Sequence, residues 1–384
     1  MRTIDILDEL IAHPTISADP NRELIDRCAE LLRGVGADVV LIEADGGRKA
    51  NLYATVGPRD RPGVLLSGHT DVVPVEGQDW SVPPFALTRR DGRLYGRGSA
   101  DMKGFVASAL AAALAAAERS LATPLHLALS HDEEVGCVGV RSLIELLAAA
   151  PFRPRLCIVG EPTSMDVATG HKGKRALLAR CRGREAHSAL APSGLNAIHL
   201  ACELVAALCE LQREIERGGA RDDAYDVPYT TVHVGLISGG VALNIVPNEA
   251  SLRFEIRHLA ADDPDALIGR VEARAAEIVA AHGERFPEAA IAIETTNAYP
   301  GLETPPESDA VAFVRALCRG NATRKVAFGT EGGLFDAELG VPTVVCGPGS
   351  MAQGHRPDEY VSEAQLARCD GMLATLLGRL EAGL

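Results

Sequence analysis

VLLSGHTD, residues Val64 to Asp71, runs an aliphatic triplet into small residues and then into His69 and Asp71. Comparable apolar runs recur at Leu125 to Leu129, Leu156 to Val159 and Pro342 to Cys346. Each is followed by residues with metal-binding side chains: Glu133-Glu134, Glu161 and His355. Asp101 joins them from just before a helical segment. Short apolar runs alternating with helical segments read as buried parallel strands. In such sheets ligands bind beyond the carboxyl ends of the strands. Imidazole and carboxylate without thiolate suit a catalytic zinc, cobalt or manganese rather than a closed structural site.

Working outward, Ile4 to Ala12 and Asn21 to Gly34 read as helices, with strands near Val39 to Leu41 and Leu52 to Val56. Helices are expected over Lys103 to Ser120 and Val138 to Ala149. The texture changes after Gly170. Arg175 to Arg182 alternates apolar and polar residues, a helix follows over Asn196 to Ile215, and strands are expected at Thr230 to Ile237 and Ala250 to Arg257. A helix over Asp265 to Ala281 and a strand at Ile291 to Thr295 complete a β-α-β-β-α-β order, the ferredoxin-like split pattern. Proline-rich text at Pro300 to Pro306 marks a return to the first layer, followed by a helix at Asp309 to Arg319, a strand at Thr343 to Cys346 and a closing helix at Ser362 to Leu380. The expected fold is α/β. A mostly parallel-stranded catalytic domain over 1–174 and 295–384 is interrupted by an inserted ferredoxin-like α+β domain over 175–294.

Of 384 residues, 47% are apolar and 23% charged, and the net charge of −14 disfavours nucleic acid or an anionic membrane as a partner. The first residues alternate acids with aliphatics and lack a secretory apolar core. The longest apolar stretch, Phe105 to Ala117, is too short to span a bilayer. Nine cysteines without a CxxC pair read as reduced thiols, so the expected location is the cytoplasm.

The succession SGHTDVVP, GRGSADMKG, HDEEVG, VGEPT and GPGSMAQGHRPDE covers nearly the whole chain and resembles the M20 family of metallopeptidases and deacylases. The resemblance implies a zinc-exopeptidase-like fold whose inserted domain serves as lid and dimerisation surface. It implies two divalent metal ions, zinc foremost with cobalt as an alternative. Asp101 would bridge them, His69 and Glu161 completing one shell and Glu134 and His355 the other. Glu133 would be the general base, diverging from Glu134 because neighbours on an extended backbone point to opposite sides. Asp71 is placed to accept the second N–H of His69, and a cis peptide is implied at Asp101-Met102.

The resemblance also gives His187 to the oxyanion, and Asn244 and Arg257 to the substrate's polar groups. The Arg257 fork suits a carboxylate, although the same side chain could instead pair with Glu255 or Asp262. GTEGG, Gly329 to Gly333, reads as a flexible polar turn in which Glu331 meets a substrate ammonium. Asp101 doubles as a candidate N-cap for the helix beginning at Lys103. The remaining histidines are read as structural or surface groups, apart from His171, a candidate for the cleft lining. The implied reaction is hydrolysis of a small N-acyl amino acid by a homodimer, with neither nucleic acid nor membrane as a partner.

Overall fold

The computed structural model describes residues 1–320 and 322–384. It divides into two compact units, Met1–His171 with Leu302–Leu384, and Lys172–Gly301. The first opens with α1 (Thr3–Ile11), α2 (Arg22–Gly34), β1 (Asp38–Ala44), β2 (Lys49–Val56), β3 (Val64–His69), β4 (Thr88–Arg90) and β5 (Arg93–Tyr95). It continues through α3 (Lys103–Ala116), β6 (Leu125–Ser130), α4 (Val140–Ala149), β7 (Leu156–Pro162) and β8 (Val167–His171). The second unit comprises β9 (Gly173–Arg182), α5 (Ala197–Gly218), β10 (Thr231–Gly239), β11 (Glu249–His258), α6 (Pro264–Gly283) and β12 (Ala290–Tyr299). The chain then returns through β13 (Leu302–Glu303), α7 (Asp309–Cys318), β14 (Thr323–Val326), α8 (Gly332–Leu339), β15 (Thr343–Gly347), β16 (Tyr360–Ser362) and α9 (Glu363–Ala382).

The large sheet of the first unit runs β1-β2-β6-β3-β7-β15-β8-β13, with β14 beside β8. Its centre, β6-β3-β7-β15, is parallel, whereas β1, β2 and β13 are antiparallel additions at the margins. The central strands are buried along their whole length, so they read as unbroken apolar runs rather than alternations. In register, Val64 faces Leu125 and Leu156, and His69 faces Ser130. The carboxyl ends of these strands therefore emerge at one edge of the sheet.

α3 packs beneath that edge and is apolar on nearly every side, as a fully covered helix should be. Gly160 makes the close approach possible, because a Cβ there would stand 1.9 Å from the Phe105 ring. Gly160→Ala should cost roughly 1–3 kcal/mol through overpacking beside Glu161. A urea melt of the variant should show a lower midpoint at unchanged slope; an unaltered midpoint would contradict this packing.

The second unit is a four-stranded antiparallel sheet in the order β10-β11-β9-β12, with α5 and α6 packed on it. That is the ferredoxin-like arrangement read from the alternation of its strands. Its limits correct the expected boundaries at 175 and 294. Lys174 pairs with Tyr299, so both boundaries fall inside strands, and a bulge between Thr295 and Asn297 hides the end of β12 from any alternation count. Among the described residues, no helix is long and apolar enough to cross a membrane.

Candidate metal centre

His69 ends β3, and Glu161 lies on the adjacent β7. Asp101 directly precedes the start of α3, where Met102 occupies the N-cap, so the Asp101 carboxylate is not spent on capping as anticipated. The Asp101-Met102 peptide is cis. Oδ1 of Asp101 stands 3.2 Å from Nε2 of His69, which is in turn 3.6 Å from Glu161. Oδ2 of the same carboxylate stands 3.1 Å from Nε2 of His355, itself 3.0 Å from Glu134. One carboxylate thus turns one oxygen towards His69 and the other towards His355, and ligand atoms of His69, Asp101 and Glu134 also lie within 4.8 Å of one another.

The glutamate pair is placed differently from the extended-strand expectation. β6 ends at Ser130, and Asp132 has φ 54°, so Glu133 and Glu134 sit in a turn. The Asp71 carboxylate holds that turn by accepting the N–H groups of Glu133 (3.0 Å) and Glu134 (3.2 Å), and it also accepts the Ser17 hydroxyl at 2.7 Å. Glu134 goes to His355 and Asp101. Glu133 joins His69 and Glu161, whose ligand atoms lie with its own within 4.8 Å of one another. The Cys137 thiol donates to Glu133 Oε1 at 3.2 Å. The nearest partner of His69 Nδ1 is the main-chain carbonyl of Asp71 at 2.9 Å, with the Asp71 carboxylate at 3.5 Å. An N–H directed at that carbonyl leaves Nε2 with its lone pair facing Asp101 and Glu161.

Electrostatics set this cluster apart. Burial pushes the Glu133 carboxyl up to about 8, with Glu134 and Glu331 adding to the rise against His69. Burial and then Asp101 raise Glu134 to about 7, and the same two causes hold Glu161 well above its ordinary range. Asp101 stays low despite burial, because His355 and His69 both hydrogen-bond its charged form. Hydrogen bonds to Asp101 and Glu134 pull His355 up to about 10. Four acids and two imidazoles converge there, and their oxygen and nitrogen donors fit divalent cations.

A pH dependence follows. Glu133, Glu134 and His355 bind more protons in the metal-stripped native protein than in the unfolded chain, above their ordinary values of 4.5 and 6.5. Stability falls with pH wherever the native state holds the extra protons, so the stripped protein's thermal midpoint should drop from about pH 5 to about pH 9. Bound metal requires deprotonated ligands and should flatten or reverse that slope. A midpoint that rises across the same range without metal would contradict the assigned shifts.

Comparison with known proteins agrees with the geometry. The profile of peptidase family M20/M25/M40 matches residues 65–379. The chain belongs to peptidase family M20. The M20 chain is 36% identical over 382 residues to an acetylornithine deacetylase of Myxococcus xanthus, covering 98% of this chain and 97% of that one. Among solved structures it resembles an M20 metallo-carboxypeptidase of Sulfolobus solfataricus, with a TM-score of 0.81, 18% identity and full coverage of both chains. It also resembles a dinuclear metal-binding M20 peptidase of Bacillus subtilis, with a TM-score of 0.71 and 14% identity, over 100% of this chain and 98% of that one. As an M20 member the protein is a metal-dependent hydrolase.

Within the inserted unit of the M20 chain, His187 and Asn244 are neighbours. His187 bridges to Ile245, and the Ser188 N–H donates to the Asn244 carbonyl at 3.0 Å. Both side chains are exposed, and His187 Nδ1 accepts the Ala189 N–H at 3.1 Å. Arg257 lies at the far end of β11, roughly 26 Å along the strand from Glu249 at its start. It donates to Glu255 at 3.1 Å and to the Tyr299 hydroxyl at 2.7 Å. The alternative partner Glu255 is therefore the one observed, and Arg257 does not share a pocket with His187 inside this unit.

GTEGG is not the flexible turn expected. Gly332 begins α8, and Glu331 is 1% exposed, accepting the hydroxyls of Ser67 (3.2 Å) and Ser130. A buried carboxylate held by two serines from β3 and β6 is a poor seat for a mobile substrate ammonium. His171 is likewise buried, its Nε2 accepting the Gly333 N–H at 3.2 Å. Sequence reasoning missed Ser67, Ser130 and Cys137. Ser130 closes β6 at its carboxyl end, whereas Ser67 lies inside β3 and Cys137 falls in the turn well beyond β6, so position on the strands signals only the first.

Proposed function

We propose that this M20 hydrolase removes the acetyl group from N2-acetyl-L-ornithine, giving L-ornithine and acetate, a step of arginine biosynthesis in the cytoplasm. The observation that carries the reading is the Asp101 carboxylate, whose two oxygens face two different imidazoles, His69 and His355. In this reading His69 and Glu161 hold one divalent cation, Glu134 and His355 hold the other, and zinc is the first choice with cobalt as substitute. Such a pair, when bound, supplies Lewis acidity towards the amide carbonyl and lowers the pKa of water towards about 7.

The protein's own groups do the rest. Glu133, close to the same atoms but hydrogen-bonded to Cys137 rather than to Asp101, takes a proton from the attacking water and returns it to the leaving nitrogen. Burial raises the affinity of this carboxyl for a proton, the direction a proton carrier needs. Asp71 keeps Glu133 and Glu134 in place through their N–H groups. His187 is assigned to the developing oxyanion, and Asn244 to the polar groups of the substrate. Homodimerisation through the inserted unit belongs to the same reading.

The 36% identity to an acetylornithine deacetylase of Myxococcus xanthus supports acetylornithine as the substrate in this reading. N-succinyl-diaminopimelate, acetylcitrulline and simple dipeptides are the competing substrates of the same chemistry. Purified, zinc-loaded protein should show kcat/KM on acetylornithine at least about tenfold above each, equivalent to about 1.4 kcal/mol of transition-state discrimination. Faster turnover of N-succinyl-diaminopimelate would reject the substrate while leaving the amidohydrolase.

A further inference from the structure

Arg97 and Glu359 are 0% and 1% exposed and lie 2.6 Å apart. Desolvating two charges is expensive, and such a pair adds little stability over an apolar replacement. Its hydrogen bonds point to positioning. Glu359 Oε1 accepts the N–H of Ala100 at 2.9 Å and that of Asp101 at 3.0 Å, while Oε2 accepts Arg97 Nη1. The guanidinium continues outward: Nη1 also donates to the Arg356 carbonyl at 3.3 Å, and Nη2 donates to Gln78 Oε1 at 2.5 Å. Gln78 then donates from Nε2 to the main-chain carbonyl of His355 at 3.0 Å. The Trp80 ring lies 5.0 Å from the Arg97 guanidinium, and its indole N–H donates to the same Gln78 oxygen at 3.0 Å.

These contacts close a circuit. It runs from the His355 imidazole to the Asp101 side chain, back through the Asp101 N–H to Glu359, Arg97 and Gln78, and returns at the His355 carbonyl. The two halves of the centre differ in what holds them. His69 and Glu161 stand on neighbouring buried parallel strands. His355 sits in a loop without regular structure, at φ 62° and with a 47% exposed side chain. The loop is tied at its start, where Ser350 bridges to Thr163 just beyond β7, and at the His355 carbonyl, which accepts Gln78.

We infer that Gln78, Arg97 and Glu359 form a positioning network that, through the Gln78 contact to the His355 carbonyl, sets the affinity of the Glu134–His355 half for its cation more than that of the His69–Glu161 half. The inference rests on the two-cation reading above. Orienting partners of this kind are worth about 10- to 100-fold in metal affinity.

Titration of the full-length, chelator-stripped protein with cobalt tests it, followed by calorimetry and by visible absorption of each equivalent. Gln78→Ala is the informative variant because Gln78 is only partly buried and its loss leaves the Arg97–Glu359 pair intact. Expected are a stripped variant that still unfolds in one cooperative step, an unchanged first equivalent, and a second equivalent weakened about 10- to 100-fold with an altered absorption band. kcat should fall in step with occupancy of the second site, with KM held. Glu359→Gln removes the charge facing Arg97 and, where it folds, should weaken the second equivalent further. A Gln78→Ala protein that binds both equivalents like its parent, or loses affinity equally at both, overturns the network. A parent that takes fewer than two equivalents overturns the two-cation reading itself and this inference with it.

Discussion

Glu133→Ala should give a folded protein with full metal content and a kcat lowered by about 10²- to 10⁴-fold, the usual worth of a positioned general acid–base. The metal content is the discriminating part. Glu133 lies within the same 4.8 Å grouping as His69 and Glu161, close enough to be mistaken for a ligand. Its Oε1 takes the Cys137 thiol, however, while Asp101 and Glu161 already flank His69. A base leaves both cations behind when removed; a ligand takes one with it. In the metal-stripped state, removing a carboxyl raised by burial also lifts an electrostatic burden, so the stripped variant's melting temperature should hold or rise slightly. Elemental analysis, thermal melting and single-turnover assay together decide the matter. Retained activity would reject Glu133 as the proton carrier.

The second large effect is expected at Asp101. Asp101→Ala removes oxygens from both donor clusters at once, at 3.2 Å from His69 and 3.1 Å from His355. Metal content should fall below one ion per chain, and kcat/KM should drop by at least about 10³-fold, since a metal centre supplies several kcal/mol of transition-state stabilisation. The scaffold around it should survive, because Glu359 contacts the main-chain N–H of residue 101 rather than its side chain. Glu161→Ala, by contrast, should empty one half. A protein lacking the Asp101 carboxylate yet holding two ions would show that the clusters bind independently.

The parts of this arrangement visible in sequence share a physical cause. β3, β6, β7 and β15 are buried on both faces, so they stand out as aliphatic runs, and polar residues at their carboxyl ends have little reason to be there other than the site. The inserted sheet was legible because β9 and β11 show one face to the core, which leaves an alternation. Elements of two to four residues, such as β4, β5, β13 and β14, are too short for any period. Glu331 misled for a different reason. A glutamate flanked by glycines reads as exposed, and its burial depends on Ser67 and Ser130, brought from distant strands by the fold. The same holds for Arg97 and Glu359, whose partnership spans most of the chain. The Asp71 carboxylate was expected to accept the second N–H of His69, but the main-chain carbonyl of Asp71 does so and the carboxylate holds the backbone of Glu133 and Glu134, a role that residue spacing does not express.

Anomalous scattering from zinc-soaked crystals tests the central claim most directly. The account predicts two peaks about 3.5–4 Å apart, one between His69 and Glu161 and the other between Glu134 and His355, with Asp101 reaching both. A single peak, or none in contact with Asp101, would contradict it.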